Sequence, residues 1–97
     1  MVRYVILLKF MPGTTDDQIT AMLEGAEAML AKQPGIVSHS LGRDLGLREN
    51  AMSFGAVIDF EDEDAYSAFH ADDEHNRFRR EVLAHIVESS ALCHYRV

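Results

Sequence analysis

The stretch Ala65–Val87, AYSAFHADDEHNRFRREVLAHIV, reads as a helix, an acidic break at Asp72-Asp73 and a second helix. His75 opens the second helix, and Phe78, Val82 and Ile86 follow it at +3, +7 and +11. That spacing sets all four on one stripe of a helix. Arg77, Arg80, Glu81 and Glu88 take the opposite, solvated side. His75 therefore starts an apolar stripe just after three acids. The helix N-terminus disfavours imidazolium and the acids favour it, so local sequence leaves the direction of any pKa shift open. A packed helix-end histidine and a pocket histidine are both consistent with this pattern.

Upstream, Glu61-Asp62-Glu63-Asp64 opens the first, short helix, with Asp62 as its expected cap and Ala65, Tyr66, Ala68 and Phe69 along it. Further upstream, Met52–Phe60 reads as a strand with Met52, Phe54, Ala56, Ile58 and Phe60 on one face. Gly46–Asn50 is a turn, and Ile36–Asp44 is a more polar strand suited to a sheet edge. In that strand, alternation sets Val37, His39 and Leu41 on one face and Ile36, Ser38 and Ser40 on the other.

The opening strand, Val2–Phe10, places Tyr4, Ile6, Leu8 and Phe10 on one face and Arg3, Val5, Leu7 and Lys9 on the other. Its centre is apolar on both faces, so both need cover. Thr15 and Gln18 form a capping box for a helix running to about Lys32, before Pro34-Gly35. Ile19, Met22, Leu23, Ala26, Met29 and Leu30 give it a helical stripe that reads as core. At the other end, Ser90–Val97 alternates as a last strand.

The order strand, helix, strand, strand, helix pair, strand predicts an α+β, ferredoxin-like βαββ(αα)β domain over residues 1–97, with a four-stranded antiparallel sheet. Two helical segments cover only one face of such a sheet. The apolar second face predicts a homodimer through sheet faces, each protomer keeping a pocket between its own sheet and helices.

A chain of 97 residues with 47% hydrophobic and 26% charged residues is an ordinary one-domain globule. Its net charge of -7, with no RNP aromatic motif, excludes a nucleic-acid partner, and the charge also argues against an anionic membrane surface. Cys93 is the one cysteine, so no internal disulfide or thiolate-rich metal site is expected. Met1-Val2-Arg3 leads into no cleavage-site pattern and no run reaches membrane-spanning length, giving the expectation of a cytoplasmic protein. The cluster His70, Asp72, Asp73, Glu74 and His75 has no recognised metal spacing, and its acids suit a helix start.

Four blocks carry a family resemblance: YVILLKFMPGTT, PGIVSHSLGRDL, FEDEDAY, and EHNRFRREVLAHIV followed by HYRV. In order and spacing they resemble the stress-responsive A/B barrel (Dabb) domain of the dimeric α/β barrel superfamily. The resemblance covers nearly the whole chain. It implies a homodimeric barrel, in a family that holds both plant stress proteins of very stable assembly and a polyketide cyclase. The cyclase's catalytic histidine matches His75, while its tyrosine six residues earlier matches Phe69. The usual first-strand histidine is Tyr4 here, a third-strand pocket histidine is Phe54, and the usual His-Pro is Asp72-Asp73. Some plant relatives hold magnesium on backbone carbonyls at positions matching Leu30, Gln33 and Ile36.

Two functional expectations result. The first is a pocket for a small hydrophobic or aromatic ligand, lined by Ile6, Leu8, Phe54, Ala56, Ile58, Phe69 and Phe78. In it His75 is the candidate base and Tyr4 the candidate hydroxyl donor for cyclase- or lyase-type chemistry, with no cofactor and no metal ligand set. Cofactor-free oxygenase chemistry is open within the same superfamily. The second is a non-catalytic stress-related protein forming a stable homodimer or larger oligomer, with His75 structural.

Overall fold

The computed structural model describes residues 1–97. Its elements are β1 (Val2–Phe10), α1 (Asp16–Ala31), β2 (Ile36–Arg43), β3 (Phe54–Phe60), α2 (Glu63–Ala71) and α3 (Asp73–Phe78). A π-helical segment (Arg79–Leu83), a last helical turn α4 (Ala84–Ile86) and β4 (Val87–Arg96) complete the chain. The strands form one antiparallel four-stranded sheet in the order β2-β3-β1-β4. This is the ferredoxin-like α+β arrangement expected from the element order.

Local chemistry explains the boundaries. Thr15 and Gln18 close the reciprocal capping box at 3.1 and 2.8 Å, and Asp62 accepts from the Ala65 N–H at 2.8 Å. Asp72 ends α2 in extended backbone and caps α3 through the His75 N–H at 3.1 Å. One residue thus divides the helix pair and orients the turn that bears His75.

The core lies between the sheet and the helices in two adjoining clusters. One joins Leu8, Met22, Phe54, Ala56 and Ile86; the other joins Met29, Leu30, Ile58, Phe60 and Phe69. The outer sheet face carries Val5, Leu7 and Val57, crossed by the ion pair of Arg3 with nearly buried Asp59. Both guanidinium–carboxylate hydrogen bonds are present, at 2.8 and 2.9 Å, and Ser38 Oγ donates to Asp59 at 3.3 Å. That partnership holds the Asp59 carboxyl below its ordinary pKa and raises that of Arg3.

The structure departs from the sequence reading in phase and extent. A bulge between Ile36 and Ser38 moves Ile36 opposite Phe60, into the core, instead of onto the face of Ser38 and Ser40. Met52 lies outside β3, which starts at Phe54. β4 starts at Val87, three residues before Ser90, because its first residues continue the ladder with β1. The run after His75 is not one regular α-helix, since the π-helical segment interrupts it at Arg79.

Candidate functional site

Two adjoining cavities open between the sheet and the helix pair. The inner one, about 70 Å³, is lined by Tyr4, Ile6, Leu8, Phe54, Ala56, Ile58, Phe69, His75 and Phe78, with Met22, Ala26, Met29, Leu30, Leu41 and Leu83 completing the wall. All nine residues singled out from the sequence therefore share one chamber. The strand residues reach it because Tyr4, Ile6 and Leu8 register against Ile58, Ala56 and Phe54. Phe54, Ala56, Ile58, Leu8 and Phe69 are each at most 5% exposed, so they act as packed wall.

The outer cavity, about 310 Å³, shares Tyr4, Ile6, Leu8, His75 and Leu83 with the inner one. It adds Tyr66, His70, Arg79, Ala84, Val87, Ser90 and Leu92. None of these additions was selected from the sequence as a site residue. For Ser90 and Leu92 the signal was strand parity, because Leu92 pairs with Ile6 and Ser90 with Leu8 across β1 and β4. For Arg79 the signal was helical spacing, because it lies four residues after His75, one α-helical turn along the same face, and its N–H still bonds to the His75 carbonyl.

His75 sits where the cavities meet. Its imidazole stacks on the Phe69 ring at 4.1 Å between centroids, and His70 lies 6.3 Å away. Its Nδ1 is buried without a hydrogen-bond partner. Burial pushes the His75 pKa below its ordinary value, and the charges of Arg79 and His70 push in the same direction. The Phe69 carbonyl and the Asp72 carboxylate oppose the shift without cancelling it. The direction left open by the sequence is thus downward: the imidazole stays neutral, the form a base requires.

Tyr4 packs edge-on to Tyr66 at 5.5 Å and stacks on His94 at 4.7 Å. Burial pushes its phenol up to about 12, with Tyr66 adding to the rise and Arg79 opposing it. The hydroxyl remains protonated at neutral pH, so it is available as a hydrogen-bond donor. The chamber thus holds a neutral nitrogen base and a protonated phenol in an apolar wall.

Two of the three acids before His75 are taken up by structure. Asp72 accepts from His75 N–H and from Gln33 Nε2 at 3.0 Å, and Glu74 pairs with Lys32 at 3.6 Å. Of the three carbonyls matched to magnesium ligands, that of Leu30 accepts the Gln33 N–H at 3.2 Å as part of the helix end. No three His, Cys, Asp or Glu side chains converge as a ligand set. No helix is long and apolar enough to cross a membrane.

Comparisons with solved structures agree with this architecture. A dimeric ferredoxin-like protein of unknown function from Thermobifida fusca superposes with a TM-score of 0.91 at 21% identity, over 99% of this chain and 90% of that one. The hydroxynitrile lyase of Passiflora edulis gives 0.86 at 16% identity, over 99% and 92%. SnoaB, a cofactor-independent oxygenase from Streptomyces nogalater, gives 0.78 at 21% identity, over 99% and 91%. These likenesses establish a fold that is dimeric in the Thermobifida protein and carries different chemistries in the other two. No curated protein matches the sequence. The model of the Stress Responsive A/B Barrel Domain matches residues 2–97, and the chain belongs to that family.

Proposed function

We propose that this protein binds a small hydrophobic or aromatic molecule between its sheet and helix pair, and that His75 acts there as a general base in cofactor-free, lyase- or cyclase-type chemistry. The observation that carries this reading is the placement of His75 at the junction of the two cavities, with a buried, unpartnered Nδ1 and a depressed pKa. An orphaned polar atom in an apolar wall costs about 1–3 kcal/mol, which packing alone does not reward. The π-helical segment beside it is a second irregularity of the kind that gathers at functional sites.

In the proposed step, the neutral imidazole takes a proton from the bound molecule. In a cyclisation the proton comes from carbon, the carbanion adds to a carbonyl and the new alkoxide takes the proton back. In a lyase reaction it comes from a hydroxyl, a carbonyl forms as the bond to the leaving carbanion breaks, and that carbanion takes the proton. Tyr4 donates its phenolic hydrogen bond to oxygen that gains negative charge. The apolar chamber excludes water from the reacting atoms. Phe69 supplies a stacking surface for the base where the cyclase relatives place a hydroxyl, so Tyr4 carries the donor role from β1. Dimerisation through the outer sheet face belongs to the same reading: Val5, Leu7 and Val57 form an apolar strip on the side away from this pocket.

Thermal unfolding of wild type and His75→Ala with aromatic, cyanohydrin and polyketide-like compounds tests the proposal. A compound that raises the wild-type midpoint, raises the variant's less and is turned over only by wild type supports it. Equal shifts in both proteins, or turnover that survives the substitution, sinks it.

A further inference from the structure

We infer that Arg79 receives the carboxylate of an amphipathic organic acid whose apolar body enters the chamber behind His75; this rests on the pocket reading above and names its ligand class. The outer cavity has a marked polarity. Its inner end is the apolar chamber, while its mouth carries Arg79 together with Tyr66, His70 and Ser90. A ligand that fits both ends is apolar at one end and anionic at the other.

The charge distribution favours an anion. The chain has 16 acidic side chains against 9 Lys and Arg, yet no Asp or Glu lines this cavity. Arg79 takes part in none of the chain's ion pairs, which use Arg3, Lys32, His39, Arg43 and Arg96. Two acids of the adjoining turn are held elsewhere, Asp72 by capping α3 and Glu74 by Lys32. Arg79 therefore offers an uncompensated guanidinium at the pocket mouth, with the planar donor fork that matches a carboxylate.

The backbone explains how it arrives there. Arg79 follows His75 by four residues, one α-helical turn, so both line the cavity while Phe78 packs on the core. The same guanidinium lowers the proton affinity of His75. An anion seated on Arg79 offsets that charge and raises the proton affinity of His75. Ligand binding and the strength of the base are thereby coupled.

The test uses 4-phenylbutyrate and its neutral analogue 4-phenylbutan-1-ol, titrated calorimetrically into wild type, Arg79→Gln and Arg79→Lys. Wild type should bind the acid more tightly than the alcohol by on the order of tenfold, a preference that shrinks in high salt. In Arg79→Gln the preference should vanish with alcohol affinity unchanged, and Arg79→Lys should restore part of it. By NMR, saturating acid should raise the His75 pKa in wild type and leave it unmoved in Arg79→Gln. Alcohol binding with no preference for the acid, or a preference that survives Arg79→Gln, overturns the anion site and leaves the pocket reading standing. Binding of neither compound by wild type overturns both.

Discussion

The imidazole of His75 lies on the ring of Phe69, 4.1 Å between centroids and 27° between planes, at the meeting point of the two helix–sheet cavities. Phe69 is 3% exposed and belongs to the cluster of Met29, Leu30, Ile58 and Phe60. It therefore both closes the core and desolvates the candidate base. Phe69→Ala should destabilise the protein by about 3–5 kcal/mol through the cavity it leaves. The His75 pKa should move back toward its ordinary value, because water gains access to the ring. Chemical denaturation and histidine NMR titration read the two effects.

The depressed His75 pKa also sets an acid limit. Above the unfolded value of about 6.5 the imidazole is neutral in both states and stability does not depend on its titration. As pH falls below that value, the unfolded chain binds the proton first, so stability drops until the folded pKa is passed. Wild type should lose stability relative to His75→Gln across this window, in urea titrations at stepped pH. For any compound the protein turns over, the acid limb of kcat/KM should have its midpoint below about 6.5.

Tyr4 gives the opposite limb. Its phenol is raised to about 12, so between about 10 and 12 the unfolded chain loses the proton while the folded chain retains it. Stability conferred by the neutral phenol is present below pH of about 10 and declines as pH rises through that interval. Tyr4→Phe should remove the highest tyrosinate transition in an ultraviolet titration. It should also lower kcat by roughly 10²–10³-fold on a substrate that needs the hydroxyl. An unchanged kcat would remove Tyr4 from the proposed step.

Gly35 fixes how α2 meets the sheet. Its φ is +85°, and a Cβ there would lie 2.6 Å from Ala65 Cβ, at the start of the helix that carries Tyr66 and Phe69. Gly35→Ala should cost about 1–2 kcal/mol in backbone strain alone, plus the overlap. Adding Ala65→Gly should recover the overlap portion and leave the strain, a non-additivity that a double-mutant cycle measures.

The outer sheet face makes a separate prediction about assembly. Leu7 is 39% exposed in the protomer, and Leu45 and Leu47, which share a shallow basin with it, are 83% and 82% exposed. Leu7→Asp would bury an unpaired carboxylate in a sheet-to-sheet interface, a penalty of roughly several kcal/mol. Light scattering should show a dimer for wild type and a monomer for the variant at micromolar concentration. A variant that remains dimeric would place the interface elsewhere.

Local sequence carries the order of elements, the caps and, outside the bulge at Ile36, the face that each strand turns to the helices. These are local properties: a capping box needs Thr15 and Gln18 three residues apart, and the alternation of Tyr4, Ile6 and Leu8 depends only on strand geometry. The chamber's apolar wall was legible for that reason, since apolar periodicity marks whatever faces the interior. Where the periodicity breaks depends on long-range packing. A bulge turns Ile36 inward, and the π-helical segment shifts the helical phase so that Ala84 lines the outer cavity. Each break admits one residue out of phase, and packing against neighbouring strands and helices determines where that is favourable. Such packing depends on residues distant in sequence, so no local spacing records it.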